Sequence, residues 1–366
     1  MDLKKIFIKD ACPTKVGGQA VLEGVMMKGE SRTAVALRLP DDSIRLKIEP
    51  NKAPSKWTKI PLVRGVFVFF SSLVRGMKII MYSADELEAY EAEHGGEGGE
   101  PVEEGGLYGW VEKKFGEKAA WNMAMILSVI LALVFTVAVF IIAPTILVNW
   151  LKKITENEWI LNFVEGFLRI LLFVGYVVAI AKMPDIKRVF QYHGAEHKTI
   201  HCFENGMELT PENAITFERL HPRCGTSFLV FVMFVSWILF SFLGWPDLLW
   251  RVTSRVILLP VVAGLSYELL RWAGRSDNIV VKILSVPGLL LQKITTADPD
   301  EKQLAVAICS MKAVLSDELP EGVHEMDETG LSLKEPEVEK EDAADSEPEA
   351  APDKEDETPA EGAAIL

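Results

Sequence analysis

Long apolar stretches separated by short polar segments dominate the middle of the chain. The stretch 119–150 has no charged residue between Lys118 and Lys152, and a helix needs only ~20 apolar residues to cross a bilayer. The pattern predicts an α-helical polytopic membrane protein with about four transmembrane helices within a membrane domain at 107–275. The predicted spans lie near 121–143, 160–182, 226–246 and 252–272.

Two further apolar segments are too interrupted to count as spans. Residues 60–82 have charges at Arg64 and Arg75, and residues 279–294 are short and contain Pro287. Such patterns favour helices that lie on a membrane surface or against the protein. We therefore expect an interfacial helix within 57–90 and amphipathic helices within 276–316.

Basic residues predict the orientation of these spans. The 183–225 segment has five Lys or Arg residues, whereas the 151–158 and 247–251 connections have two and one. Because cytoplasmic loops are enriched in Lys and Arg, we expect 183–225 and both termini to be cytoplasmic. The four scattered cysteines, which lack a CxxC pair or a disulfide framework, agree with a reducing compartment.

The N-terminal region 1–56 has a different pattern, with short alternating runs instead of long apolar ones. The runs TAVALRL and SIRLKIE flank Pro40-Asp41-Asp42, which predicts a β-hairpin in a small cytoplasmic region. Glu23, in a glycine-punctuated stretch before it, is expected at a solvated turn or strand position. Residues 91–106 are acidic and glycine-rich, as is typical of a linker.

The acidic charge of the chain is confined to its end. Of the formal net charge of -14, residues 317–366 contribute -16 and the rest of the chain +2. This segment is poor in large apolar residues and is predicted to be a disordered acidic tail. The nearly neutral remainder offers no basic patch for nucleic acid, and the glycines form no nucleotide-binding motif.

Histidines are concentrated in the 183–225 segment, which we expect to be a cytoplasmic loop. Four of the six histidines lie within 193–221. His193 and His197 would share one helix face and can chelate one metal ion. With Glu196 they form H-x-x-E-H, the inverted zincin order, in which Glu196 would act as the catalytic base.

A third ligand has to come from another segment, because His201 would lie ~12 Å along the helix from His193. His221 and Cys224, in HPRC, are the candidates, and such ligands suit zinc first and iron second. The alternative is a structural polar network at the membrane surface, with His221 and Cys224 in a turn before the third span.

Charged residues also occur inside the predicted spans, at Glu165, Arg169, Arg255 and Glu268. Such residues mark a transport pathway or pair with one another. For Glu268 we favour an ion pair with Arg255, Arg271 or Arg169.

Three sequence motifs, GGQAVLEGVMMKG, YHGAEHKTI and HPRCGTSFL, resemble those of the YqhQ-like family of bacterial membrane proteins. The resemblance covers roughly residues 12–316 and excludes the acidic tail. It implies a multi-pass protein of the bacterial cytoplasmic (inner) membrane. Members of this family of unknown function are sometimes described as metal-dependent enzymes.

Three functions agree with these patterns. The first is a metal-dependent hydrolase at the cytoplasmic face of the membrane. The second is a transporter or channel subunit, which with four spans would have to work as a homo-oligomer. The third is a non-catalytic scaffold or regulatory protein. The lipid bilayer is the expected partner, and the sequence indicates no particular protein partner.

Overall fold

A five-stranded antiparallel sheet joins two distant parts of the chain. The computed structural model describes residues 6, 12–53, 56–94, 113–114, 116–244, 247–273, 278–316, 319–330 and 332–333, all within the unit Met1–Lys334. The sheet order is β1-β2-β3-β4-β5. The strands are β1 Gly17–Val21, β2 Gly24–Lys28, β3 Arg32–Arg38, β4 Ile44–Pro50 and β5 Gly322–Met326.

The hairpin predicted around Pro40-Asp41-Asp42 is confirmed as β3 and β4, paired in the register Leu37 to Arg45. The Asp41 carboxylate stabilises the turn by accepting hydrogen bonds from the N–H and hydroxyl of Ser43. Alternate residues of β4 are buried, so the period-2 pattern gives the sheet one apolar face. The glycine-punctuated stretch before it forms a second hairpin, β1 and β2, which the sequence pattern did not predict.

Strand β5 corrects the prediction that the disordered tail begins at residue 317. Residues Gly322–Met326 pair with Ile44–Ile48 of β4. The outer edge of β4 offers unpaired backbone groups that a neighbouring strand satisfies, whatever its composition. Residues 334–366, the rest of the predicted tail, lie outside the described residues, as do 95–106 of the predicted linker.

Ten α-helices make up most of the described part of the chain. They are α1 Val63–Glu93, α2 Glu117–Val137, α3 Ala143–Leu151, α4 Glu158–Ile180, α5 Pro184–Glu204, α6 Pro211–Ala214, α7 Thr226–Ser241, α8 Leu248–Ala273, α9 Ile279–Thr295 and α10 Glu301–Leu315. A 3₁₀ turn at Lys56–Lys59 precedes α1, and a π-helical turn at Ala138–Ile142 joins α2 to α3.

Helix α10 covers the apolar face of the sheet, and α5 packs beside it. A capping box between Asp300 and Gln303 fixes the start of α10. Its Ser310 hydroxyl lies between two strands, accepting the Met27 N–H and donating to the Ala34 carbonyl. The main core is therefore formed by the sheet together with α5 and α10.

Four helical stretches are long and apolar enough to cross a membrane, which confirms the coarse prediction. They are Val63–Glu93, Ile126–Leu151, Glu158–Ile180 and Leu249–Ala273. These four helices are not the same four segments that the sequence pattern predicted as spans. The expected interfacial segment becomes the long helix α1, whereas the expected span 226–246 gives only the short apolar helix α7, Thr226–Ser241.

The first apolar helix continues through Pro144 and does not end near residue 143. Pro144 has no N–H, so the Phe140 carbonyl four residues earlier loses its usual helical donor. The chain adopts a π turn there, and Nε of Arg169 donates to the Phe140 carbonyl at 2.9 Å. A side chain of α4 thus replaces the hydrogen bond that Pro144 removes.

The expected cytoplasmic loop 183–225 is largely helical. Pro184 begins α5, as proline does at the first turn of a helix, and eleven residues of α5 are buried. The segment is therefore a core element packed against the sheet and α10, and not an exposed connection.

Candidate metal centre

Helix α5 presents His193 and His197 on one face, as their spacing predicts. Their ring centroids are 4.4 Å apart. Close packing holds this part of the helix in place, because the Ala297 N–H donates to the Phe190 carbonyl at 2.8 Å. A Cβ at Gly194 would collide with the Ala297 carbonyl oxygen, so only glycine allows this approach.

Both imidazole rings are oriented by backbone carbonyls. Nδ1 of His193 lies 2.8 Å from the Thr295 carbonyl oxygen, and Nδ1 of His197 lies 2.5 Å from that of Arg219. A carbonyl oxygen only accepts, so each Nδ1 carries the hydrogen and each Nε2 offers a lone pair when the ring is neutral. This is the usual arrangement of metal-binding histidines.

The third group at this site is the thiol of Cys224. Its Sγ lies 3.2 Å from Nε2 of His193. The ligand atoms of His193, His197 and Cys224 all lie within 4.8 Å of one another. Nε2 of His197 is fully buried and has no hydrogen-bond partner among the described residues, so it fits a position that a cation would fill.

Electrostatics favour the ligand form of the thiol. Burial would raise the pKa of Cys224, but His197 and His193 bring it well below its usual value. Burial likewise works against the protonated form of His193, yet the adjacent thiolate raises the pKa of His193 to about 9. Both pKa shifts favour a proton on His193 and a negative charge on Cys224. A metal ion would replace the proton between them.

Two nitrogens and one thiolate are a donor set that suits zinc, and iron or cobalt less well. Three protein ligands leave one position open in a tetrahedral site, which is typical of catalytic zinc. The residues present thus fit one transition-metal ion bound by His193, His197 and Cys224.

Glu196 is the neighbour of His197 in the chain, but its carboxylate is not among the ligand atoms of His193, His197 and Cys224 that lie close together. Burial raises the pKa of its carboxyl, against the attraction of His197 and His193. The carboxylate contacts Gly18 of β1, whose backbone donates a hydrogen bond to it. A Cβ at Gly18 would lie 2.6 Å from Cδ of Glu196, so the glycine in GGQAV makes room for the carboxylate.

His221, predicted as a possible ligand, belongs to a second group with His201 and Glu204. Arg223 donates to Glu204, and its Nη2 lies 3.5 Å from Nε2 of His221. The guanidinium occupies the place that a cation would take. We therefore assign the second group to structure and not to metal binding.

The second group supports the first through ring packing. The ring centroid of His221 is 5.5 Å from that of His197 and 4.7 Å from that of His201. Gln292 of α9 fixes His221 by bonding to both its N–H and its carbonyl, at 2.8 and 2.9 Å. Burial lowers the pKa of His221 to about 3, so the ring stays neutral.

The charges predicted inside the spans separate into two sets. Glu165 binds Arg169 and Arg255, and it also binds Arg251, which was expected in a loop.

The second set contains Glu268, which forms its ion pair with Arg64 of α1. The expected partners were Arg255, Arg271 and Arg169. The extended helices α1 and α8 account for both differences, because they bring Arg64 and Arg251 into the bundle.

Sequence reasoning missed the groups that orient the ligands. Two of these groups are the backbone carbonyls of Thr295 and Arg219, and any residue type supplies a carbonyl. The third is the side chain of Gln292, which belongs to no recognisable motif.

Glu23 also differs from its expected solvated position. It has a positive φ of 50° and its carboxylate binds Arg188 and Tyr192 of α5. The turn between β1 and β2 thus holds α5 against the sheet.

Comparison with known proteins places these features in a family. Residues 60–317 match the family described as "Protein of unknown function (DUF1385)". The chain is 34% identical over 313 residues to "Uncharacterized protein YqhQ" of Bacillus subtilis (strain 168), covering 84% of this chain and 94% of that protein. No solved structure matches the chain. With both the family match and the relative covering most of its length, the chain belongs to the YqhQ-like DUF1385 family.

Proposed function

We propose that this protein is a metal-dependent hydrolase of the bacterial inner membrane, with one zinc ion held by His193, His197 and Cys224. The observation that carries the proposal is the convergence of two Nε2 atoms and one Sγ atom, with both Nδ1 atoms bound to backbone carbonyls. A polar network without metal has no need to leave Nε2 of His197 buried and unpartnered.

The position of the site in the fold supports an active site at a membrane surface. Cys224 lies two residues before the apolar helix α7, and Thr295 ends α9. The site therefore lies where the apolar helices meet the sheet. The basic residues of 183–225 favour the cytoplasmic side for this layer and for both termini.

The chemistry divides between the metal and Glu196. A bound zinc ion supplies Lewis acidity and lowers the pKa of water toward neutrality. The Glu196 carboxylate accepts the proton of the attacking water and later returns it to the leaving group. Its raised pKa brings it closer to the operating pH, which is where a general base is most effective. The Gly18 backbone keeps the carboxylate in place.

The metal proposal is tested by metal content. We expect about one zinc per chain by mass spectrometry of the purified full-length protein, and loss of zinc in the His193→Ala/His197→Ala double variant. The matched control is His94→Ala/His324→Ala, which removes two histidines outside the site. Absence of metal in wild type, even after zinc is added, would refute the proposal.

Catalysis is tested separately from binding. Glu196→Gln should keep its zinc and lose hydrolysis of ester, amide or phosphodiester probes. If Glu196→Gln instead loses its zinc, the carboxylate is a ligand and the assigned role is wrong. If it retains both zinc and turnover, another group is the base. Membrane insertion is checked by resistance to alkaline carbonate extraction.

Transport is less well supported by the contacts. A pathway carboxylate has to bind and release cargo, but both oxygens of Glu165 are occupied by arginines and its Oε1 also accepts the Thr145 hydroxyl. No specific observation favours the scaffold alternative.

A further inference from the structure

A cavity of about 180 Å³ lies beside strand β5, between the sheet and the last turns of α10. Its walls come from β4, β5, the end of α10 and the segment 327–333. The space between Leu46, Cys309, Ala313 and Met326 is named the β5 cavity. None of its described lining residues is a ligand, a base or an orienting group of the candidate metal centre.

The β5 cavity exists because α10 covers only part of the sheet face. Helix α10 lies mainly over β2 and β3, and less over β4. Met326 pairs with Ile44, and Leu46 lies two residues further along β4, so these side chains share the face that α10 covers. Ala313 of α10 lines the space above them with a single methyl group. The end of the sheet face is therefore apolar but incompletely filled.

The turn after β5 closes one side of the β5 cavity. The Asp327 N–H donates to the Ser332 carbonyl at 2.9 Å, and Met326 and Leu333 form a β-bridge. Gly330 has a φ of 66°, and a Cβ there would lie 2.7 Å from Cβ of Cys309. The turn thus rests directly on α10 at a position that favours glycine, and it gives the cavity a defined wall.

The β5 cavity has an apolar floor and an open mouth. Leu46, Cys309 and Met326 are only 0%, 2% and 4% exposed, whereas Leu333 is 54% exposed and Lys312 is half-buried. A ligand can therefore enter from the protein surface. Burial raises the pKa of Cys309 to about 12, so its thiol stays neutral and adds no charge to the floor.

A single cation stands at the mouth. Among the described residues that line the β5 cavity, only Lys312 is charged. Its ammonium group makes no hydrogen bond and no ion pair within the part of the chain that the structure describes. Asp327 contributes to the field at Cys309 but does not line the cavity, and its Oδ1 accepts the N–H and the hydroxyl of Thr329. The Lys312 ammonium is therefore available to an anionic group of a ligand.

Size and charge together define a ligand class. An apolar cavity of ~150 Å³ can take up benzene, so a slightly larger one holds roughly six to eight carbon atoms. Ligand sites combine apolar walls with a few polar groups that fix orientation. We propose that the β5 cavity binds a small monocarboxylate, with its hydrocarbon part on the floor and its carboxylate on the Lys312 ammonium. The inference goes beyond the proposed function and depends on neither the metal nor the membrane placement.

Calorimetric titration with hexanoate tests the proposal. The full-length protein in lipid nanodiscs is titrated, and the heat from empty nanodiscs is subtracted. We expect saturable binding of one hexanoate per chain. The alcohol 1-hexanol should bind roughly tenfold more weakly, because it lacks the charge-assisted hydrogen bond to Lys312. Equal binding of the acid and the alcohol, or no saturable binding of hexanoate, would overturn the proposal.

Chain length measures the depth of the site. From butanoate to octanoate, each added methylene should tighten binding by roughly threefold to fourfold, as burial of one methylene does. Longer carboxylates should gain no further affinity, because the β5 cavity is then full. A steady gain through dodecanoate is the behaviour of partition into the bilayer, and it would contradict an enclosed site.

Matched lysine variants test the assigned cation. Lys312→Gln should weaken hexanoate binding by roughly tenfold and leave the binding of 1-hexanol unchanged. Lys52→Gln removes the same charge from an exposed position after β4 and should leave both affinities unchanged. An equal loss in the two variants would indicate general electrostatics and refute the role of Lys312.

Two variants that change the cavity volume locate the bound ligand. Ala313→Leu places three more carbon atoms in the β5 cavity and should abolish hexanoate binding, while the melting temperature stays the same or rises. Cys309→Ala enlarges the floor and should move the length at which affinity stops rising to a longer carboxylate. Undiminished hexanoate binding in folded Ala313→Leu, or an unchanged length limit in Cys309→Ala, would place the ligand elsewhere and overturn the proposal.

Discussion

Nε2 of His193 lies 3.2 Å from Sγ of Cys224, although 31 residues separate them along the chain. His193 comes from a helix packed on the sheet and Cys224 from the turn that leads into an apolar helix. The contact therefore links the layer that contains the sheet to the apolar bundle. A metal ion at this point would stabilise that link as well as provide chemistry.

Cobalt substitution should detect this cysteine directly. Co²⁺ bound in place of zinc should show a thiolate-to-metal charge-transfer band in the near ultraviolet. Cys224→Ser should remove the band and weaken metal binding by roughly 10–100-fold or more, as loss of a metal-site contact does. Cys12→Ser, at an exposed cysteine, should leave the band intact. A band that persists in Cys224→Ser would exclude Cys224 as a ligand.

Acid should destabilise the protein through His201. Burial lowers the pKa of His201 to about 4, whereas an unfolded histidine titrates near ~6.5. Below pH ~6.5 the unfolded chain takes up a proton that the folded ring refuses, so stability falls until the pH reaches the folded pKa. The shift corresponds to about 3 kcal/mol of unfolding free energy.

The variant His201→Gln tests this assignment, because its amide can still donate to the Leu220 carbonyl, 3.0 Å from Nε2 of His201. Unfolding followed by tryptophan fluorescence between pH 7 and pH 4 should show a shallower loss of stability than in wild type. His324→Gln, in β5, should keep the wild-type slope. Equal slopes in wild type and His201→Gln would show that another group is responsible.

Gly194→Ala should disturb the fold and the metal site together. The new Cβ would press against the Ala297 carbonyl, and overpacking of this kind costs about 1–3 kcal/mol. The shift would also move His193 away from the Thr295 carbonyl, so zinc affinity should fall. Gly175→Ala, in α4, has open space around its Cβ and should be neutral or stabilising by up to ~1 kcal/mol. Thermal melts and zinc titrations of the two variants provide the comparison.

A charge exchange should test how α1 packs on α8. Nε of Arg64 donates to Oε1 of Glu268 at 2.7 Å, and Gly65 and Gly264 allow the helices to approach closely. Arg64→Glu and Glu268→Arg should each lower the melting temperature. The double variant should recover part of the lost melting temperature, as coupled charges do.

The control for this cycle is Arg271→Glu combined with Glu268→Arg. Arg271 lies one turn beyond Glu268 on the same helix but makes no hydrogen bond to it. That pair should recover less stability than the exchange with Arg64. Full recovery in both pairs would indicate a general charge effect and not a specific helix contact.

Local patterns in the sequence were sufficient for part of the secondary structure and for part of the site. Alternation in SIRLKIE predicted β4, long apolar runs predicted the bundle, and the four-residue spacing put His193 and His197 on one helix face. These features depend on neighbouring residues alone, through strand and helix periodicity. The same locality explains why Pro144 misled the reading of where the first span ends, since the Arg169 side chain compensates for the N–H that Pro144 lacks.

Contacts between distant segments were decided by the tertiary structure. It brought Cys224 to His193, moved His221 into a group with Arg223, paired Glu268 with Arg64, and added β5 to the sheet. None of these pairings has a local signal, because charged and metal-binding side chains can pair with many partners and packing selects among them. The sequence alone therefore determined which chemistry is available, and the fold decided which groups meet.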